Sequence, residues 1–153
     1  MTPKELINQG EMIQAVLSQK LTKKVKVSAI NIFQSLRIIN PSPYMFLLDL
    51  NDFHIIGSSP ELLVQVVDGV VAAHPIAGTR ARGKNEKEDQ ELEKELLNDD
   101  KELAEHLMLL DLGRNDVGKI AKVNTVKVTE KFKIEKYSHV MHIVSNVEGK
   151  FDK

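Results

Sequence analysis

The sequence contains no cysteine, and this absence excludes three kinds of chemistry. Without cysteine, a chain of 153 residues has no disulfide framework, no thiolate metal site and no thiol nucleophile. A cysteine-free composition fits a reducing compartment, so we expect a cytoplasmic protein.

An excess of charge and long apolar runs are also lacking. The chain has 21 Lys and Arg against 22 Asp and Glu, and the formal net charge of -1 argues against a nucleic-acid partner. Polar residues interrupt the longest apolar stretches, 44–50 and 62–73, well short of the ~20 residues that span a bilayer. Residues 2–5 have neither the basic start nor the apolar centre of a signal peptide. We therefore expect no membrane partner and no export.

Length and composition predict one domain, because 42% apolar residues in a chain of this size build one ordinary core. Capping residues predict two helices in its N-terminal part. Thr2, with Glu5 three residues later, begins a short helix that ends at Gly10. Ser28 precedes apolar residues at helical spacing and begins a second helix, which stops at Asn40 before a proline.

Two further helices are predicted in the charged middle of the chain. Residues 85–100 are dense in charge, with Leu92 and Leu96 as their apolar ridge, which is typical of a solvated helix. Asp99 begins the next helix by another capping-box pattern, and this helix runs to about Leu112.

Strand-like runs account for most of the remainder. Residues 12–20 are apolar on both sides of an extended chain and predict a strand buried on both faces. Asp68-Gly69 between two valine-rich runs predicts a β-hairpin. The other predicted strands are 44–50, 53–56, 62–67, 70–74, 126–128, 133–140 and 141–147. Helices and antiparallel strands without regular alternation predict the α+β class.

One glycine-rich run imitates a phosphate-binding loop. Residues 113–119 have the glycine spacing and the lysine of that motif, but Ile120 stands where a hydroxyl must bind magnesium. The run also follows a helix rather than a strand. We therefore exclude a nucleotide site and predict a turn at Gly113 that ends the preceding helix.

Histidine and glutamate raise the question of a metal site. The five histidines form no His-Glu-x-x-His pattern, and His139 and His142 would point to opposite faces of a strand, so we expect no zinc site. Glu102 and Glu105 share one helical face. They form either a solvated acidic face or a site for a hard divalent cation completed by water and a substrate oxygen.

A second open question concerns the basic run Thr79-Arg80-Ala81-Arg82-Gly83. We interpret it as a loop. It offers a hydroxyl, backbone N–H groups and two guanidinium groups, which suit a carboxylate ligand. An ordinary basic surface turn explains the same residues equally well.

Six ordered segments carry a resemblance to a known family. They are QAVLSQ (14–19), NPSPYMF (40–46), GSSPE (57–61), PIAGTR (75–80), EHLMLLDLGRND (105–116) and YSHVMHIVS (137–145). Together they resemble the chorismate-utilising enzymes, and most closely the large subunit (component I) of anthranilate synthase. The resemblance implies that the chain forms part of an antiparallel β-sandwich with flanking helices.

The resemblance also implies an activity. Anthranilate synthases are magnesium-dependent lyases of tryptophan biosynthesis that convert chorismate and ammonia into anthranilate and pyruvate. A glutamine amidotransferase small subunit (component II) supplies the ammonia. Residues 1–153 correspond to a partial chorismate-binding domain, without the N-terminal feedback segment and the C-terminal segments that close the pocket.

Site residues follow from the same resemblance. Glu61 corresponds to the acid beside the departing C4 hydroxyl, which needs a dry site to stay protonated. His142 corresponds to the histidine of the later pyruvate elimination. Gly78 and Thr79 correspond to contacts with the ring carboxylate of the substrate.

The metal ligands and the nucleophile are implied in the same way. Glu105 corresponds to a magnesium ligand, with Glu102 as its nearby or water-mediated support. Gln14 stands where isochorismate and salicylate synthases carry a water-activating lysine. Ala77 stands where aminodeoxychorismate synthases typically carry a nucleophilic lysine. With both amines absent, external ammonia is the expected nucleophile.

Pro43, Tyr44 and Met45 resemble part of the tryptophan feedback pocket of the family, whereas Ala81 replaces a proline that is usual in the basic loop.

Two alternative functions remain open. One is a non-catalytic ligand-binding or structural fragment, and the other is a different chorismate-utilising enzyme such as aminodeoxychorismate synthase. For the isolated 153 residues, the implied missing segments predict weak magnesium binding, no detectable turnover and self-association through open strand edges.

Overall fold

Helices and antiparallel strands alternate irregularly in the computed structural model, which describes residues 2–152. The helices are α1 (Pro3–Asn8), α2 (Ala29–Ile39), α3 (Glu86–Leu97) and α4 (Asp100–Gly118). The strands are β1 (Tyr44–Asp49), β2 (His54–Ser59), β3 (Gln65–Val67), β4 (Val70–Ala73), β5 (Ile76–Ala81), β6 (Lys127–Lys136) and β7 (Val140–Lys150). The predicted α+β class is confirmed. None of the helices in the described range has the length and hydrophobicity to cross a bilayer.

The long strand β7 organises the larger sheet. Strand β6 pairs with β7 along one edge, and β4 and β5 pair with successive stretches of the other edge, all antiparallel. Strand β3 extends this sheet to five strands by pairing with β4. A separate two-stranded sheet joins β1 to β2, and α2 packs on it.

Alternation along β7 explains the core. Met141, Ile143 and Val147 are completely buried and lie on one face of the sheet, where α3 and α4 cover them. Leu96 of α3 belongs to the same core as Met141 and Ile143, whereas Val117 of α4 packs with Val147. The sheet and the two helices therefore form the layer pair that supports the site.

Local signals were predictive at helix starts and in one hairpin. Thr2 and Glu5 form the predicted capping box of α1, and Ser28 caps α2. Asp68 and Gly69 both have positive φ, 50° and 76°, and connect β3 to β4 as the hairpin signal predicted. These features are confirmed because each depends on a few neighbouring residues.

The predicted strand at residues 12–20 is wrong. This segment is irregular, and its apolar side chains face solvent, with Ile13 81% and Leu17 84% exposed. An apolar run becomes a buried strand only when neighbouring strands and helices cover it. Within residues 2–152, no such cover forms over this run.

The predicted basic loop is wrong as well, because Ile76–Ala81 forms β5. Its pairing with β7 shifts between Ala77 and Thr79, so Gly78 is the extra residue of a β-bulge and has a φ of +70°. The run Gly78-Thr79-Arg80-Ala81-Arg82 lacks the apolar alternation that predicts a strand, and the sequence therefore suggested a loop. Both arginines are held by carboxylates of the chain itself, as described below.

Two strand boundaries in the C-terminal part also differ from the prediction. The predicted strands 126–128 and 133–140 belong largely to one strand, β6, which continues through a bulge at Phe132 with a φ of +54°. The predicted junction between residues 140 and 141 lies inside β7, and residues 137–139 form the turn. His139 lies in this turn, so the predicted placement of His139 and His142 on one strand is wrong.

The predicted turn at Gly113 is wrong, since α4 continues through it to Gly118. A Cβ atom at Gly113 would meet its nearest neighbour, Val147 Cγ2, at 3.8 Å, which is an ordinary contact. Gly113 therefore leaves the helix intact and only weakens it.

Gly113→Ala is expected to raise the free energy of unfolding by about 0.5–1 kcal/mol, because alanine loses less backbone entropy than glycine in a helix. Gly149→Ala is the contrasting variant. A Cβ there would lie 2.6 Å from Ala121 Cβ, so we expect a loss of about 1–3 kcal/mol. Urea unfolding followed by circular dichroism measures both, and a destabilised Gly113→Ala would contradict the prediction.

An ion pair fastens the start of α3 to the end of β5. The Arg82 Nε donates to Asp89 Oδ2 at 3.0 Å, and the Gly83 N–H donates to Asp89 Oδ1 at 2.6 Å. Asp89 is only 2% exposed, although it belongs to the run that was predicted to be solvated. Hydrogen bonds from Arg82 and then from the Gly83 N–H lower the pKa of Asp89 to about 2.

Protonation of Asp89 in this ion pair should lower the free energy of unfolding in acid. In the unfolded chain Asp89 titrates near its ordinary pKa of 3.8, so between 3.8 and about 2 the unfolded state binds more protons. The stabilisation is complete above pH 3.8 and is lost as the pH falls through 2. Asp89→Asn should flatten the pH dependence of the unfolding free energy in this window. The exposed control Asp52→Asn should retain it, and equal slopes in wild type and Asp89→Asn would exclude the assignment.

Candidate active site

The bulge in β5 brings its backbone against His142 of β7. Thr79 lies opposite His142 in the register of the two strands. The Nδ1 atom of His142 is 2.9 Å from the carbonyl oxygen of Gly78 and 3.1 Å from the hydroxyl of Thr79. Residues separated by more than sixty positions in the sequence therefore share one hydrogen-bonded cluster.

The first turns of α4 lie beside this bulge. Asp99 caps the helix by accepting hydrogen bonds from the N–H groups of Lys101 and Glu102 at 3.1 and 3.2 Å. A Cβ atom at Gly78 would be 3.3 Å from Glu102 Oε2. The predicted substrate contact at Gly78 and the predicted magnesium support at Glu102 are thus neighbours in space.

Arg80 connects β5 to both helices. Its guanidinium donates to Glu95 at 2.9 Å and to Asp99 at 2.8 Å, and Nη1 lies 3.7 Å from Glu102 Oε1. The hydrogen bonds to Glu95 and Asp99 raise the pKa of Arg80. The Glu102 N–H and then Arg80 lower the pKa of Asp99. This network holds the start of α4, and with it Glu102, against β5.

Glu105, one turn further along α4, has a different partner. The side-chain amide of Gln14 donates to Glu105 Oε1 at 3.0 Å, across 91 positions of sequence. Glu105 is half-buried, and within residues 2–152 it takes part in no ion pair, in contrast to Glu102. The structure therefore distinguishes the two carboxylates that the sequence presented as a pair.

The feedback residues inferred from the resemblance lie near His142. A cavity of about 190 Å³ is bounded by residues 39–43, by the turn at 137–139 and by His142. The ring of Tyr137 contacts the ring of His142 edge to face, with centroids 5.5 Å apart. Pro43 lines this cavity, whereas Tyr44 and Met45 begin β1 opposite Ser59 and Ser58.

Tyr137 is a site residue that the sequence patterns did not single out, although it belongs to the segment 137–145. Its hydroxyl donates to Glu135 Oε2 at 2.9 Å. Burial, and then the hydrogen bond to Glu135, raise the pKa of Tyr137 to about 12. Tyr137 is therefore a neutral hydrogen-bond donor that supports the edge of the cavity.

Glu61 does not join this cluster. It is exposed and lines another cavity, of about 350 Å³, together with apolar residues of β4 and α4. None of the other predicted site residues lines that cavity. In the described residues the Glu61 carboxylate faces solvent, and its assignment as the acid beside the departing C4 hydroxyl stays a prediction.

One group with metal-ligating atoms was not anticipated. Ligand atoms of His74, Glu130 and Glu135 lie within 4.8 Å of one another. Lys133 Nζ already binds Glu130 at 2.9 Å, and the neighbouring carboxylates raise the pKa of Lys133. Lys133 thus supplies the positive charge that a metal ion would bring, so the closeness of the two glutamates needs no metal ion.

Comparison with known proteins shows the family of the chain. The sequence profile of the family described as chorismate binding enzyme matches residues 2–153. The chain belongs to the chorismate-binding enzymes. The resemblance that the six segments indicated is confirmed.

Individual members of the chorismate-binding family are closely similar. Anthranilate synthase component 1 of Acetivibrio thermocellus is 55% identical over 146 residues, covering 95% of this chain and 30% of that protein. The protein of the same name in Pseudomonas aeruginosa is 56% identical over equal shares. Anthranilate synthase component I from Streptococcus pneumoniae superposes with a TM-score of 0.85 at 42% identity, over 97% of this chain and 32% of that one. The chain therefore spans about 30% of the length of the relatives named here.

The oxygen donors of this chorismate-binding chain fit a hard cation in part. Glu105 presents a half-buried carboxylate whose Oε1 is held by a neutral amide, which leaves Oε2 for a metal. Glu102 has the Arg80 guanidinium 3.7 Å away, whereas Glu105 has no cationic partner among the described residues, so Glu102 suits a supporting position better than direct ligation. Magnesium is commonly held by one or two carboxylates and several waters, which agrees with this donor set.

Proposed function

We propose that the chain forms part of the catalytic subunit of an anthranilate synthase, a lyase that converts chorismate and ammonia into anthranilate and pyruvate. The observation that supports this most is the convergence of distant segments. Gln14 binds Glu105, and Thr79 binds His142, so four of the site residues inferred from the resemblance meet in two contacts. Sequence identity of 54–56% to several anthranilate synthase components agrees with it.

Each group in the site has a role in this proposal. The bulge at Gly78 and Thr79 leaves backbone and hydroxyl donors for the ring carboxylate of chorismate. Glu105, supported by Glu102, would hold magnesium. Bound there, the ion would supply positive charge beside the substrate's carboxylate and the developing negative charge. His142 exchanges a proton in the later elimination of pyruvate.

Two side chains exclude competing nucleophiles. The amide of Gln14 is neutral and is engaged with Glu105, so it cannot act as the base that activates water. Ala77 lies on β5 opposite Ile143 and has only a methyl group, so it forms no bond to the substrate ring. Ammonia must then enter from outside, which suits a glutamine amidotransferase component II as partner. We place this activity in the cytoplasm and in tryptophan biosynthesis, with feedback by tryptophan near Pro43.

The product distribution tests the proposal. Full-length enzyme containing this segment, supplied with chorismate, ammonia and magnesium, is expected to form anthranilate as the main product, because neither Gln14 nor Ala77 offers an amine. Chromatography of the products distinguishes anthranilate from isochorismate and aminodeoxychorismate. A preparation of the same enzyme without ammonia serves as control and should form none of the three in quantity. Isochorismate or aminodeoxychorismate as the main product would refute the assignment.

A further inference from the structure

The hydrogen-bond partners of His142 determine which of its ring nitrogens carries a proton. The Nδ1 atom lies 2.9 Å from the carbonyl oxygen of Gly78. A carbonyl oxygen can only accept, so this contact is a hydrogen bond only when Nδ1 is the donor. The hydroxyl of Thr79, 3.1 Å from the same nitrogen, can adapt to either form. The carbonyl therefore decides between the two tautomers.

We propose that the Gly78 carbonyl and the Thr79 hydroxyl are positioning groups that hold neutral His142 in the Nδ1–H form and leave Nε2 as its only proton-accepting atom. A histidine whose Nδ1–H donates to a backbone carbonyl is a common way to present Nε2 for chemistry. Within residues 2–152, Nε2 makes no hydrogen bond. The chemistry at Nε2 rests on the proposed function, whereas the tautomer rests on the contacts alone.

The surroundings of the ring favour this one orientation. The bulge places Gly78 and Thr79 beside the Nδ1 edge, and glycine adopts the left-handed φ of +70° at position 78 without a steric cost. Tyr137 packs against the ring at an interplanar angle of 65°. Rotating the ring by half a turn would remove both hydrogen bonds and leave the half-buried Gly78 carbonyl without its donor.

The arrangement also assigns a direction to the Thr79 hydroxyl. The single Nδ1–H is shared between the Gly78 carbonyl and Thr79 Oγ1, and this leaves the proton of the Thr79 hydroxyl for another acceptor. A carboxylate is such an acceptor, which agrees with the contact that the family resemblance implies for Thr79. One residue thereby couples the orientation of His142 to the binding of an anionic group.

Nuclear magnetic resonance of the full-length protein with ¹⁵N-labelled histidine rings tests the tautomer directly. The long-range ¹⁵N–¹H pattern above the titration range shows which nitrogen is protonated, and a difference spectrum against His142→Asn identifies the His142 signals. We expect the Nδ1–H pattern. His54 is the internal reference, since its Nε2 lies 3.5 Å from Asp49 and should carry the proton instead. An Nε2–H pattern for His142 would overturn the proposal.

Substitution of Thr79 separates the two positioning groups. In Thr79→Val the Gly78 carbonyl remains, so the Nδ1–H form should persist, whereas the ¹⁵N resonance of Nδ1 should shift because one acceptor is lost. Thr79→Ser keeps the hydroxyl and should restore the wild-type resonance. A change to the Nε2–H form in Thr79→Val would show that the carbonyl does not determine the tautomer and would refute that part.

A kinetic measurement tests the role of Nε2. The side-chain amide of His142→Asn can still donate to the Gly78 carbonyl but has no atom that accepts a proton at the Nε2 position. If Nε2 performs the chemistry, this variant should release pyruvate roughly 10²-fold more slowly or worse while its circular dichroism stays that of the wild type. Wild-type turnover in His142→Asn would reduce His142 to a structural residue. A full-length enzyme that forms no anthranilate at all would instead refute the proposed function and leave the tautomer result valid.

Discussion

Full-length enzyme carrying Glu105→Gln is expected to form anthranilate roughly 10²–10³-fold more slowly than wild type at saturating magnesium, since a metal ion contributes several kcal/mol of charge stabilisation. Glutamine preserves size and can still hydrogen-bond Gln14, but it removes the charge that attracts a hard cation. The rate is measured by anthranilate fluorescence across a magnesium titration. A shift of the half-saturating magnesium concentration to higher values should accompany the loss.

Two further variants show whether this effect is specific to Glu105. Glu102→Gln should cause a smaller loss of rate, because the Arg80 guanidinium lies near the Glu102 carboxylate and disfavours its direct binding to a cation. Glu91→Gln changes an exposed carboxylate on α3 and should leave the rate and the magnesium dependence as in wild type. Equal losses in the Glu105 and Glu91 variants, or none in Glu105→Gln, would exclude Glu105 as a ligand.

Leu96→Ala is expected to have the largest effect on stability, a loss of about 2–5 kcal/mol in the free energy of unfolding. Leu96 is completely buried on α3 and packs with Met141 and Ile143 of β7. The shortened side chain leaves a cavity beneath the bulge, because a Cβ atom at Gly78 would lie only 3.1 Å from Leu96 Cδ1. Urea titration followed by circular dichroism measures the loss.

Leu63→Ala is the matched control for this prediction, since it removes the same atoms from a side chain that is 88% exposed. We expect a change of no more than about 0.5 kcal/mol. If the two variants lose equal stability, the packing of α3 on β7 is not the source of the core energy. Because the core also supports the bulge, Leu96→Ala should weaken the His142 contacts, which the ¹⁵N pattern of His142 would report.

The sequence predicted the features that depend on a few neighbouring residues. Thr2, Ser28 and Asp99 marked three helix starts, because a capping side chain binds N–H groups only two or three positions away. Asp68-Gly69 marked a hairpin, because both residues accept the positive φ that the turn requires. Such signals are complete within a short window of sequence and need no knowledge of the fold.

Predictions that required long-range packing were wrong in characteristic ways. The apolar pattern of residues 12–20 predicted burial, but burial depends on a second element that covers the run. Gly78 and the arginines at positions 80 and 82 suggested a loop, yet pairing with β7 makes residues 76–81 a strand. Gly113 suggested a helix end, although the cost of one glycine is small beside the packing of α4 on the sheet.

The sequence by itself determined the family and the chemical groups available to the site. The ordered segments identified His142, Thr79, Glu105 and Gln14 as candidates, since residue identity alone states which atoms can donate, accept or bind a cation. Only the tertiary structure decided how these groups are used. It placed the Gly78 carbonyl against Nδ1 of His142 and the Gln14 amide on Glu105. It also placed the Arg80 guanidinium near Glu102, and Glu61 at a different cavity. The reason is physical, because each of these contacts joins residues whose proximity arises from strand register and core packing, neither of which any short stretch of the chain encodes.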